Sequence, residues 1–293
     1  MHATYLLGSL LPNLVASFAN RKAIDLTHSV GEHTIAWPSA TKFSTSNVVR
    51  MQVDVVGSGG YWYEARDISQ AEHSGTHTDA PAHFYKGGWR TADIPLERLA
   101  GPGVKIDITE KVKKDQDTGL AVDDILAWEE EHGEIPEDAV VIVHTGHGKW
   151  YGDKKKYFGR PEGLDLPDND TQHLHFPGVE PEASQWLVDK RKIVGLGIDT
   201  PSTDKGQSRQ FRTHRILGQA NIWGLENMAR TEELPSKGFM VYNMVHKLEG
   251  GSGGPTRVVA ILDSAASNAG NVVPQLWRKV LASLLVMQLC VAL

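Results

Sequence analysis

His73-Ser74-Gly75-Thr76-His77-Thr78-Asp79-Ala80-Pro81-Ala82-His83 carries three imidazoles and one carboxylate within eleven residues. All four groups stand at odd positions, and alternate residues of an extended chain share a face, so they project together into one cavity. A straight strand, however, would hold His73 and His77 roughly 13 Å apart, too far for two ligands of one ion. The chain must therefore bend between them, and Gly75 is the residue that takes positive φ without a Cβ clash. Pro81 is expected to exclude a continuing helix and to fix the backbone before His83. Imidazole nitrogen with carboxylate oxygen suits Zn or Mn, and such a set leaves positions open to water, which points to catalysis. A cluster of merely hydrogen-bonded loop residues is the competing reading, and four groups on one face beside Gly and Pro weigh against it.

Outward from this stretch, short Val- and Ile-rich runs at 104–108, 140–143, 193–198 and 258–262 read as strands, each bounded by Gly, Pro or charge. Helices are expected at 122–131, where Ile125, Leu126 and Trp128 fall on one side, from Pro181 through Ala183, Trp186 and Leu187, and at 225–233. Interleaved strands and helices argue for an α/β domain with a mixed sheet, running from residue 22 to residue 263.

The stretch HSGTHTDAPAHF closely resembles the HxGTHxDxPxH signature of the cyclase family of metal-dependent hydrolases, which includes kynurenine formamidases and isatin hydrolases. The likeness continues in order through IDLTHSVGEHTIAWPS from residue 24, VVIVHTGHGKW, VGLGIDTPSTD, THRILGQANIWGLEN and GGPTRVVAIL. The resemblance implies a swivelling β/β/α architecture in a homodimer or larger oligomer, with one or two divalent ions, Zn or Mn. By match to the motif, His73, His77 and Asp79 would be ligands and His83 the proton-transfer residue. His214 and Glu226, twelve residues apart, would complete a second site with Asp79 bridging. The chain departs from the family pattern at Val245-His246-Lys247, where Pro-Leu-Lys is common, and at Ser74, where formamidases often have glycine.

The implied activity is hydrolysis of an amide or formamide C–N bond in a small molecule. Water activated by the metal would attack the carbonyl, the ion would stabilise the oxyanion, and His83, with a pKa near 6.5, would shuttle the proton. A metal-dependent isomerase or dehydratase, or a silent metal-stabilised binding protein, are the alternatives, and retention of His83 and Glu226 argues against the last.

Composition narrows the field further. The chain has 293 residues, 40% of them hydrophobic, enough for a full core, and its net charge of −6 is spread without a basic stripe, so nucleic acid is excluded as a partner. The single Cys290 permits neither a disulfide framework nor a cysteine zinc site. Residues 4–19 read as a signal-peptide h-region ending at Ser17-Phe18-Ala19, with an amphipathic helix as the alternative. Small residues at 264–270, a spacer with Arg278 and Lys279, and the apolar LASLLVMQLCVAL suit a removable lipid-anchor signal, against a docked C-terminal helix. With the sequon Asn169-Asp170-Thr171, these ends point to a cell-surface or extracellular enzyme tethered by lipid; a cytoplasmic one is the alternative.

Other polar candidates have plainer readings. His144 and His147 beside Gly146 and Gly148 suit a loop, as do His173 and His175 near Pro177, while His2, His28, His33, His132 and His246 lie scattered and most of them are expected to be solvated. Asp199 and Asp204, flanking Pro201, read as turn acceptors, with Asp199 placed to hydrogen-bond a ligating histidine. Trp37, with Tyr61, Trp62 and Tyr63, is expected to line a substrate pocket or to pack in the core.

Overall fold

The computed structural model describes residues 22–263, and Ala23–Ile261 forms one compact unit. The expected signal peptide at 1–19 and the anchor segment at 264–293 lie outside the described residues. No helix among the described residues is long and apolar enough to cross a membrane.

Twelve strands and five α-helices are described. The strands are β1 (Ala23–Asp25), β2 (Ser44–Val53), β3 (Tyr61–Ser69), β4 (His77–Asp79), β5 (Ala100–Asp107), β6 (Gly119–Leu120), β7 (Val140–His144), β8 (Gly178–Val179), β9 (Gly195–Ile198), β10 (Trp223–Glu226), β11 (Phe239–Val245) and β12 (Gly253–Leu262). The helices are α1 (Thr109–Lys114), α2 (Val122–His132), α3 (Lys154–Tyr157), α4 (Pro181–Arg191) and α5 (Arg212–Gln219).

The main sheet runs β1-β12-β11-β5-β7-β9-β10-β4, and β4 also pairs with β12, so the sheet closes on itself as a barrel. Strands β5, β7, β9 and β10 are parallel neighbours, while β4 is antiparallel to both β10 and β12. This is the mixed α/β class expected from the interleaved pattern. Parallel strands covered on both faces read as unbroken apolar runs, which is why Val140, Val141, Ile142 and Val143 are all fully buried. Over one face of them pack Ile125 and Trp128 of α2 and Ala183 and Leu187 of α4. A bidentate pair from Arg191 to Glu129, at 2.7 and 2.8 Å, ties these two helices together.

One expectation is corrected here. Residues 225–233 are not a helix: Leu225 and Glu226 belong to β10, and only Thr231–Glu233 makes a short 3-10 turn. The helical spacing of Leu225, Met228 and Ala229 loses to pairing on both edges, because Trp223–Glu226 lies between β9 and β4 and is wholly buried. The Trp223 ring fills the space that a Cβ on Gly195 would occupy, 2.2 Å from it, so the strand pair closes only around glycine. As expected, no helix runs through Pro81: the preceding Ala80 is extended, and Pro81 opens only the single 3-10 turn Pro81–His83, where its missing N–H costs nothing.

Strands β2 and β3 form a separate two-stranded sheet. Tyr61, Trp62 and Tyr63 lie there, 56%, 59% and 48% exposed, so they neither line the pocket nor pack in the core.

Candidate metal centre

Strand β4 carries the centre. Its register sets His77 opposite Glu226 and Asp79 opposite Gly224, and directly opposed residues share a face, so both carboxylates and the His77 ring emerge together. Gly75 bends the chain ahead of it at φ +61, with its N–H held by the Ile35 carbonyl at 2.6 Å. The bend brings the His73 and His77 rings to 5.3 Å between centroids, far inside the straight-strand separation. His214 enters from the first turn of α5, where Asp204 accepts the backbone N–H groups of Thr213 and His214 at 3.3 and 3.1 Å.

Each of these imidazoles is anchored through one nitrogen and presents the other to a carboxylate. His77 Nδ1 donates to the Gly75 carbonyl at 2.9 Å, leaving Nε2 3.3 Å from Asp79 Oδ1 and 3.5 Å from Glu226 Oε2. His214 Nδ1 donates to Asp204 Oδ2 at 2.6 Å, and its Nε2 stands 3.1 Å from Asp79 Oδ2 and 3.0 Å from Glu226 Oε1. His73 Nε2 meets Ser252 Oγ at 3.0 Å, whose hydroxyl donates to Glu72 at 2.8 Å, and His73 Nδ1 lies 2.6 Å from Asp79 Oδ1. Asp79 thus sits in the middle, one oxygen toward His73 and His77 and the other toward His214. The backbone N–H of Thr203 holds Glu226 Oε1 at 2.8 Å.

This donor set fits a divalent cation. Asp79 Oδ2 is buried and makes no well-formed hydrogen bond, a cost that an ion would remove. Candidate ligand atoms of His77, Asp79 and Glu226 all lie within 4.8 Å of one another, and so do those of His73, Asp79 and His83. His83 stacks on His73 with centroids 3.8 Å apart and has an exposed edge.

Without a cation, protons balance the cluster. Burial would lower His77, but Asp79 and Glu226 outweigh it and raise its pKa. Burial is likewise outweighed at His214, where Asp204, Asp79 and Glu226 raise the pKa well above 6.5. Burial works against the Asp79 charge as well, yet His83, His73 and His214 hold its carboxyl well below the usual range. His83 differs: burial, reinforced by the neighbouring imidazoles and opposed by Asp79, pushes it down to about 4 rather than the ordinary 6.5 expected from sequence.

The raised histidines set the pH response of the metal-free protein. Their stabilisation is full below the unfolded value of about 6.5 and is lost as pH rises through the raised folded values, so Tm is expected to fall as pH rises above about 6.5. A divalent ion replaces those protons, so its binding should release protons and strengthen over the same range. Thermal scans with and without the ion check both signs.

The remaining candidates fall elsewhere. Asp199 holds Thr145, through its N–H at 2.9 Å and its hydroxyl at 2.7 Å, and touches no histidine of the centre; Asp204 takes the role expected of it. His144 and His147 are buried rather than loop-exposed, bonded to Thr231 Oγ1 at 2.7 Å and to the Tyr157 carbonyl at 2.8 Å. His173 is exposed, and His175 pairs with Asp117 at 2.7 Å. His28 is not solvated: it stacks on Tyr151 at 3.6 Å, and burial pushes it down to about 4. Trp37 does line the cavity beside the centre, about 280 Å³ in volume, together with Ile35, Phe84, Phe158 and Phe211. Sequence reasoning missed those four, and missed Asn227, which donates to the Gly75 carbonyl at 2.9 Å and accepts from Tyr157. The one signal for that last residue is its place next to Glu226 in the run Asn-Ile-Trp-Gly-Leu-Glu-Asn.

A closed mixed sheet that brings buried imidazoles and carboxylates to the floor of an apolar pocket defines a metal-dependent hydrolase. The chain belongs to the putative cyclase family, whose profile matches residues 24–205. It is 32% identical to the isatin hydrolase of Roseibium aggregatum over 83% of this chain and 93% of that protein. It is 24% identical to the kynurenine formamidase of Salinibacter ruber over 80% of this chain and 95% of that one. Among solved structures, isatin hydrolase A from Ralstonia solanacearum superposes with a TM-score of 0.73 at 31% identity, covering 86% of this chain and 97% of that one.

Proposed function

We propose that this enzyme hydrolyses the ring amide of a small uncharged aryl lactam of the isatin type. In this reading His73, His77, Asp79, His214 and Glu226 hold one or two divalent ions, Zn or Mn, and His83 moves the proton. The relatives at 32% and 24% identity are an isatin hydrolase and a kynurenine formamidase, which supports hydrolysis of an amide C–N bond. The lining of the pocket carries the choice of substrate. Aromatic and aliphatic walls enclose a space suited to a fused bicycle, and no lysine or arginine lines it among the described residues. An amino-acid formamide such as N-formylkynurenine would bring its carboxylate into that space with no lysine or arginine to pair it, which is costly.

When bound, the ion supplies a polarised carbonyl and a water whose pKa falls to about 7. The protein does the rest. Trp37, Phe84, Phe158 and Phe211 grip the ring faces and exclude bulk water. With its pKa lowered to about 4, His83 is neutral at pH 7 and accepts the proton of the attacking water. It then delivers that proton to the ring nitrogen as the C–N bond breaks, leaving an aryl amine and a carboxylate.

The test is ring opening of isatin against deformylation of N-formylkynurenine, each with Zn- and Mn-loaded protein. Isatin is expected to have the higher kcat/KM, by about 10²-fold or more, from the cost of burying unpaired charge. Preference for the formamide would overturn the substrate assignment, and no turnover of either would overturn the hydrolase reading for this substrate class. Because Asp204 anchors His214, Asp204→Asn is expected to weaken metal affinity by about 10–100-fold with the fold intact. Competition with a chromogenic chelator measures this.

Export and a lipid tether are proposed on the sequence alone; Asn169 stands exposed in a turn, which supports its use as a glycan acceptor. Intact mass after expression in an animal cell line tests that proposal, and a cytosolic product retaining Cys290 and lacking a glycan would defeat it.

A further inference from the structure

Helix α5 begins at a residue that no local preference selects. Its N-cap is Phe211, at φ +47 and ψ +46. N-cap positions favour Ser, Thr, Asp or Asn in extended backbone, because those side chains accept the first free N–H groups of the helix. The left-handed region favours Gly and Asn, and a bulky residue is strained there because its Cβ crowds the following carbonyl. Phenylalanine satisfies neither preference. The helix is capped instead from outside: Asp204 accepts the N–H groups of Thr213 and His214, and its Oδ1 also accepts the Ser208 hydroxyl at 3.1 Å. Ser208 Oγ in turn accepts the N–H of Phe211 at 3.2 Å, which pins the strained residue to the same carboxylate that anchors the His214 ring. The strained backbone delivers the Phe211 ring to the wall of the cavity, 5.1 Å from the Phe84 ring and 6.0 Å from that of His214 between centroids.

We propose that Phe211 determines specificity for a substrate with a fused aromatic ring, and that Ser208 is the positioning residue that holds it in the strained conformation. Residues in the left-handed region persist only where their surroundings over-determine them, and they gather at ligand clamps. Here the chain Phe211–Ser208–Asp204 is what holds the conformation, and it ends on a histidine of the metal centre. The substrate wall and the ligand His214 are therefore set from one carboxylate. A lactam with its carbonyl at the centre lays its fused ring against Phe84 and Phe211, at the aromatic separations of about 4.5–7 Å that are favourable. The preference for an aryl ring rests on the function proposed above, whereas the backbone strain does not.

Two readouts test this. The first needs no substrate and compares the thermal unfolding of Phe211→Gly with that of Phe211→Ala. Both variants lose the ring, but glycine takes positive φ freely, so the glycine variant is expected to melt higher, by on the order of 2–4 °C. At ordinary backbone angles the order is the reverse, because glycine loses more chain entropy on folding. An alanine variant as stable as the glycine one would overturn the strain. The second readout is steady-state kinetics of metal-loaded protein on isatin and on pyrrolidine-2,3-dione, which keeps the lactam and ketone but lacks the fused ring. Phe211→Ala is expected to raise KM for isatin about 10-fold, with a smaller change in kcat, and to keep KM for the dione within about 3-fold of wild type. Equal loss on both substrates would overturn the specificity. Ser208→Ala is expected to raise KM for isatin although Phe211 is present, Ser208→Thr to restore it, and Ser208→Ala to add nothing once Phe211 is alanine. An unchanged KM in Ser208→Ala would overturn its positioning role. A wild type that opens neither ring would sink the proposed function, and isatin affinity by calorimetry then replaces KM. Absence of binding, or equal binding by wild type and Phe211→Ala, would overturn the specificity.

Discussion

Replacing His83 by alanine is expected to lower kcat by about 10²- to 10⁴-fold, the usual contribution of a positioned general base, while the bound divalent ion stays near wild-type content. His83 lies one 3-10 turn beyond Asp79, with an exposed edge toward the pocket. It stacks face to face on His73, so its own nitrogens are free to meet water and substrate. Its pKa of about 4, set first by burial and then by the surrounding imidazoles, keeps it unprotonated through neutral pH. Elemental analysis alongside kinetics separates two roles, because His83 also lies within ligand reach of His73 and Asp79. Loss of metal in the alanine variant would move it into the ligand set.

Asp79→Asn is expected to do more, reducing turnover to background and removing all retained metal. Both Asp79 oxygens are committed, one to His73 and His77 and the other to His214, and a neutral amide offers one weak donor where two charged ones stood. The loss also leaves His77 and His214 with less negative charge to hold their protons, so the metal-free variant is expected to unfold more easily. Removing one partner from a buried charge pair typically costs about 3–5 kcal/mol. Glu226→Gln is the informative comparison. It removes a carboxylate facing His77 and His214 but leaves Asp79 in place, so it should reduce stoichiometry or affinity without unfolding the protein. Full metal content with full activity in that variant would reduce the centre to a single ion on His73, His77 and Asp79.

Much of this site could be read before any coordinates. The odd-position pattern of His73, His77, Asp79 and His83 needs only the two-residue period of a strand, and the bend at Gly75 follows from the length an extended chain spans. Helices α2 and α4 were legible for the same reason, since their apolar spacing and the leading Pro181 are local properties. His214 and Glu226 were reachable only through likeness to a known family, because one sits on a helix and the other on a strand, and no local period links them.

The rest depended on which surfaces meet. Leu225–Met228–Ala229 has helical spacing, yet the segment is a strand because β9 and β4 leave it two unpaired edges to satisfy. The β2–β3 hairpin alternates as a half-buried strand would, yet none of its residues is buried, because alternation fixes which side chains share a face and not whether anything packs on it. Asp199 and Asp204 are chemically identical and five residues apart. Only the position of α5 decides that Asp204 reaches His214 while Asp199 turns back to Thr145, because a hydrogen bond of 2.6 Å tolerates no displacement that a sequence, which carries no distances between distant residues, can resolve.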